Sequence, residues 1–134
     1  MPKQQATREY RLSITSRFNE GTQRWTTLFL LETTRQFASF RYDLAVRERV
    51  QGDTIRLTVT GLKTPHLSFP ASGPARFRQE YDNLRGMYEI VIEGLDHKVN
   101  AFTVEMGEQS VRLVRQPANP FVEFVTDFPH EAGR

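Results

Sequence analysis

An all-β chain, folded as a two-sheet antiparallel β-sandwich with Greek-key connections and about eight or nine strands, is what the sequence predicts. Three observations carry this. Apolar residues recur at period two along most of the chain, with little helical periodicity. Polar, glycine-containing segments separate the alternating stretches at hairpin spacing. Residues 61–76 hold Gly61, Pro65, Pro70, Gly73 and Pro74, a long connection that suits a crossover between sheets better than the short hairpins of an up-and-down barrel.

The elements follow in order. From Glu9 to Phe18, the apolar residues Tyr10, Leu12, Ile14 and Phe18 alternate with Arg11, Ser13, Thr15 and Arg17. The polar segment Asn19-Glu20-Gly21-Thr22 then turns the chain into a second strand, about Arg24 to Thr33. Its block Leu28-Phe29-Leu30-Leu31 is apolar on both faces, as in a central strand covered on both sides or bent by a bulge. Phe40, Tyr42, Leu44, Val46 and Val50 share one parity of the third strand, while Arg41, Asp43, Arg47 and Arg49 share the other. Gln51-Gly52-Asp53 leads into Ile55, Leu57 and Val59 facing in, with Arg56, Thr58 and Thr60 facing out.

The connection 61–76 admits at most an edge strand near Leu67 to Phe69, because proline cannot donate to a ladder. A short strand or single helical turn is expected at Ala75 to Asn83. Further strands are expected at Tyr88 to Glu93, Lys98 to Met106, Ser110 to Arg115 and Phe121 to Phe128. The domain thus spans 9–128, with a flexible segment 1–8 and a frayed tail 129–134. Residues 55–62 resemble 88–95 in pattern, which reads as two equivalent strands, one in each sheet.

The stretch Asp82-Asn83-Leu84-Arg85-Gly86-Met87-Tyr88-Glu89-Ile90 resembles the start of strand F in immunoglobulin-like and fibronectin-like sandwiches. That resemblance implies a corner hydrogen bond from the Tyr88 hydroxyl to upstream backbone and an inter-sheet position at Ile90. It also implies that Trp25 packs between the sheets as the strand C tryptophan. Both cysteine positions of the pattern are aliphatic here, and the likeness covers about ten residues and one spacing. It bears on the fold alone.

Length and composition bound the chemistry. A chain of 134 residues buries about two-thirds of its unfolded surface, enough for a core without staples. The absence of cysteine removes disulfides and Cys-based zinc sites. An 11% aromatic content with 25% charged residues excludes a disordered chain. Residues 1–11 have no apolar run, and the longest such run, Leu28 to Leu31, is far below the ~20 residues that span a bilayer, so a cytoplasmic location is expected. His66, His97 and His130 fall in separate turns or tails. His66 with Asp82 or Asp96 is the best acid/base pair on offer. No phosphate-loop, dinucleotide, hydrolase-elbow or zinc-protease motif occurs. The expectation is therefore a non-enzymatic domain with no metal and no cofactor.

Two surfaces remain. Pro65, Leu67, Phe69 and Pro70 form an apolar cluster in loop 64–74, and a partner protein contacting this loop or a sheet edge is the first functional expectation. Arg41, Arg47, Arg49 and Arg56 share the outward parity of adjacent strands, and Arg11 and Arg17 face out on the first strand. Were these strands one face, five or six guanidinium groups would suit nucleic acid or another polyanion. A third expectation is a barrel whose ten Phe residues line a small-ligand cavity. Phe69→Ser is expected to weaken partner binding while moving the melting temperature little; a large drop in melting temperature instead assigns Phe69 to the core.

Overall fold

Among the described residues, alternation becomes pairing in nine strands. They are β1 (Tyr10–Asn19), β2 (Arg24–Phe37), β3 (Asp43–Gln51), β4 (Thr54–Lys63), β5 (Gly73–Asp82), β6 (Gly86–Glu93), β7 (Val99–Met106), β8 (Val111–Arg115) and β9 (Val122–Thr126). The structure is a computed structural model that describes residues 8–37, 43–63 and 73–126, and the side chains of 35–37 and 73–74 also lie outside the description. No helix occurs among the described residues.

All nine strands belong to one sheet, in the order β8-β7-β6-β4-β3-β5-β2-β1-β9. The all-β expectation holds, and the expected division into two sheets is not confirmed. The reason lies in two joins. β3 and β5 meet in parallel through the single pair Asp43↔Arg76, which links what would otherwise be separate layers. β9 adds in parallel to β1, from Tyr10↔Val122 to Ile14↔Thr126, and brings the far end of the sheet back toward β7 and β8. The result is a nearly closed, barrel-like sheet.

The hairpins follow local chemistry. Phe18↔Trp25 and Asn19↔Arg24 close β1 on β2, and the Asn19 side chain accepts from the Thr22 N–H at 3.1 Å in the turn. The two-residue loop Gly52-Asp53 joins β3 to β4 with Gly52 at φ 56°, a conformation glycine enters without a Cβ penalty. β2 is longer than its apolar block implies, and its ladder with β5 shifts register between Glu32 and Gln36. β5 is a full ten-residue strand in the middle of the sheet rather than a short strand or helical turn. Ala75, Phe77, Gln79 and Tyr81 form its inward row, and Gln79 hides that row from a hydrophobic reading. The similar segments of β4 and β6 pair in parallel in one sheet, with Ile55↔Ile90 and Leu57↔Ile92, instead of standing in two.

Two features of the immunoglobulin-like resemblance are absent. Trp25 is not part of the core; it packs edge-on to Phe18 at the end of the first hairpin, ring centroids 5.7 Å apart. The Tyr88 hydroxyl makes no corner hydrogen bond among the described residues, although Ile90 does point inward and is fully buried.

The interior is filled with side chains. Leu12, Ile14, Phe29, Leu31, Ile55, Leu57, Ile90, Ile92, Phe102 and Val104 are all fully buried, each contributing about 1.5–3 kcal/mol through removal from water. Phe102 and Phe124 meet across the interior at 5.1 Å, so β7 and β9 share the core although no ladder joins them.

One polar residue stands in this apolar row. Asn100 faces inward from β7, opposite Ile92, and is 8% exposed. Its Oδ1 accepts from the N–H groups of Phe121 at 2.9 Å and Val122 at 3.2 Å, the start of β9. The Phe121 carbonyl accepts in turn from the N–H groups of Glu9 and Tyr10. Asn100→Leu, close in volume, strands two buried N–H groups and is expected to cost about 2–4 kcal/mol. A urea titration checks this: the midpoint falls with little change in slope.

Candidate functional site

The sequence-predicted apolar cluster of Pro65, Leu67, Phe69 and Pro70 lies outside the described residues, as do Arg41, His66 and His130. Arg47, Arg49 and Arg56 are described and do come together, lining a cleft of about 410 Å³ with Glu48, Thr58 and Glu93. Arg49 stands directly opposite Arg56 in the β3–β4 ladder. Arg56 is compensated, because its Nη2 lies 2.7 Å from Glu93 Oε1.

The strands that carry the expected arginine face share one sheet, but β1 is not adjacent to β3 and β4. β5 and β2 intervene between β3 and β1 in the strand order, so Arg11 and Arg17 are not on strands adjacent to those of Arg47 and Arg49. Arg11 is also neutralised, at 3.3 Å from Glu123 and 3.5 Å from Glu32.

A different cation group takes shape at the β3–β5 junction. Beyond the single pair Asp43↔Arg76 the two strands separate, and a cleft of about 570 Å³ opens there. Arg17, Lys63, Arg76 and Arg78 line it together with one carboxylate, Asp43. Its apolar part is Leu28 and Leu30 from β2, with Leu44 and Phe77 reached through the opening. Each lining cation comes from a different strand or register: β1 supplies Arg17, β4 ends on Lys63, and β5 presents Arg76 and Arg78 on its outward row. Only the tertiary pairing reveals the group, since Arg17 and Arg78 are 61 positions apart in the chain.

Arg76 is held in place. Its Nε lies 3.1 Å from Oε1 of Glu32, whose side chain is only 12% exposed, and the other oxygen of Glu32 faces Arg11. Neither Nη group of Arg76 has a partner among the described residues, nor do the side chains of Arg17, Lys63 and Arg78. Guanidinium groups presented in this way suit carboxylate and phosphate oxygens.

At the far end of the β3–β5 opening, Tyr81 donates a hydrogen bond from its hydroxyl to Glu48, and its ring packs edge-on to Phe29 at 4.9 Å. Burial, then the Glu48 carboxylate, pushes the Tyr81 phenol well above the usual tyrosine range. Glu93, which lines the Arg47–Arg49 cleft together with Glu48, is held below the usual carboxylate range by Arg56 and then by His97, whose Nδ1 is 3.1 Å from Oε2. His97 is the one candidate histidine among the described residues, and this exposed contact with the Glu93 carboxylate is its environment. Among the described residues no three of His, Cys, Asp and Glu are grouped to hold a metal, and no helix is long and apolar enough to cross a membrane.

Comparison with protein-family models, curated proteins and solved structures gives no match. The class defined by fold and site is thus an all-β, barrel-like domain with a cationic surface cleft.

A group whose pKa is raised by folding adds stability that is complete below its unfolded value and lost as pH rises through its folded value. Stability is therefore expected to decline above about pH 10, the ordinary tyrosine value. Tyr81→Phe is expected to make that alkaline decline shallower, measured as melting temperature from pH 8 upward. A residual slope is expected from Tyr10, whose phenol burial also raises.

Proposed function

We propose that this chain is a non-catalytic, cytoplasmic binding domain that takes an anionic group in the cleft formed by β1, β2, β3, β4 and β5. The observation that carries the reading is the lining itself: among the described residues, four cations, Arg17, Lys63, Arg76 and Arg78, against the single carboxylate Asp43. A volume of about 570 Å³ falls in the usual range for small-ligand sites, ~300–1,000 Å³. The filled interior favours this outer cleft over the barrel interior as the place for a ligand.

A second reading, nucleic acid or another polyanion, draws on Arg47, Arg49 and Arg56 on β3 and β4. Among the described residues no aromatic lines that cleft, whereas single-strand binders stack bases on rings. A protein partner, the first expectation from sequence, draws support from the open edge of β3, where Arg47 to Gln51 are exposed irrespective of parity.

Calorimetric titration with pyrophosphate, and with a short single-stranded oligonucleotide, at about 50 mM and about 200 mM salt tests these readings. Pyrophosphate binding that falls at least tenfold in the double variant Arg76→Glu/Arg78→Glu is the expected result, given about 1.5–3 kcal/mol per charged hydrogen bond. Unchanged affinity in that variant refutes the cleft. Steeply salt-dependent oligonucleotide binding that is lost in Arg47→Glu/Arg49→Glu transfers the function to the polyanion reading.

A further inference from the structure

The outward row of a solvated sheet face is ordinarily polar. On β2 that row reads Thr26, Leu28, Leu30, Glu32, and two leucines stand where the rule expects polar groups. Leu28 is only 8% exposed and Leu30 is half-buried, although both point away from the core. They lie between Ser13 and Thr15 of β1 and Arg78 and Glu80 of β5. Phe77 of β5 and the buried Leu44 of β3, both from the inward face, meet the same cleft at the β3–β5 opening. A site meant for phosphate alone has no use for four apolar side chains beside its cations.

The head-group end is fixed independently. Glu32 engages Arg76 through Nε, and Arg11 and Glu123 extend the chain of ion pairs behind it. This directs the guanidinium without ordering by the ligand, which lowers the entropic cost of binding.

We infer that the cleft binds an amphipathic organic anion: a carboxylate or phosphate head on Arg76, with Arg78 and Lys63 close by, and an aliphatic body along Leu28, Leu30 and Phe77. This rests on reading the cleft as an anion site. Glu32 is a positioning residue in it, acting on the head group through Arg76.

The test is a titration of the full chain with hexanoate, octanoate, decanoate, decyl phosphate, decan-1-ol and pyrophosphate, each below its micelle concentration. Affinity is expected to rise about fourfold per methylene along the carboxylate series until the floor is covered. Decan-1-ol is expected to bind at least tenfold more weakly than decanoate. Pyrophosphate that binds while the carboxylate series stays flat overturns this inference and leaves the anion site standing. No binding by any anion removes the site and the inference together. Equal affinity for decan-1-ol and decanoate overturns the assignment of the head group.

Two further arms sharpen it. Removing a carboxylate by Glu32→Gln raises the positive charge of the cleft, so charge alone predicts tighter decanoate binding; loss of positioning predicts weaker binding. At least a threefold weakening supports the role of Glu32, and tightening overturns it. Free decanoate and an anionic lipid headgroup offer the same chemistry, so sedimentation with phosphatidylglycerol vesicles separates them. Binding of the free acid without co-sedimentation is the expected result, and binding to vesicles alone overturns the free-ligand assignment.

Discussion

The stitch between Asn100 and the start of β9 is the constraint on which the rest of the molecule rests. A nine-stranded sheet with two free ends exposes two rows of unpaired backbone groups. Here the amide oxygen of Asn100 takes the N–H groups of Phe121 and Val122, while the Phe121 carbonyl serves Glu9 and Tyr10. β9 is thereby fixed between β1, which it joins by a parallel ladder, and β7, which it meets only through side chains. The inward rows of β1, β7 and β9 then close over one interior, with Tyr10 edge-on to Phe121 at 6.1 Å and Phe124 beside Phe102. A leucine at position 100 would fill the space but leave the closing hydrogen bonds unmade, which is why an amide occupies an otherwise apolar row.

Closure on that side contrasts with the opposite join. β3 and β5 share one backbone pair and then separate, so side chains replace the ladder. Tyr81 reaches Glu48 across the far end of the opening, and at the near end the inward residues Leu44 and Phe77 line a cleft that also takes outward residues of β2 and β5. The cleft is thus a product of an interrupted ladder. It brings the half-buried Phe77, an inward residue, beside cations that belong to the outer surface.

Charge follows the same logic. A formal net charge of +2 predicts no strong overall field, yet the described ion pairs distribute it unevenly. Arg11, Arg24, Arg56 and Arg112 each have a carboxylate partner, whereas Arg17, Lys63 and Arg78 have none among the described residues. Glu32 is the exception that serves structure and site at once, since a nearly buried carboxylate on a central strand needs cations, and one of its cations faces the cleft.

Period-two alternation determined, from sequence alone, that the chain is all-β, where both hairpins turn, and which parity of β1, β3, β4, β6 and β7 faces in, because those signals are local to a few residues. Asn100 shares the inward parity of Phe102, Val104 and Met106, and its role becomes apparent only in the folded chain. Its partner Phe121 lies 21 positions away on a strand with no ladder to β7. Tertiary structure alone decided that β5 is a central strand, that β4 and β6 pair in one sheet, and that the outward arginines separate into two groups. Strand order and curvature set which outward rows become neighbours, and neither is encoded in the alternation of any single strand. For that reason Arg47, Arg49 and Arg56 were legible as a cluster within one hairpin, whereas the cleft of Arg17, Lys63, Arg76 and Arg78 exists only once β1, β2, β3, β4 and β5 are assembled.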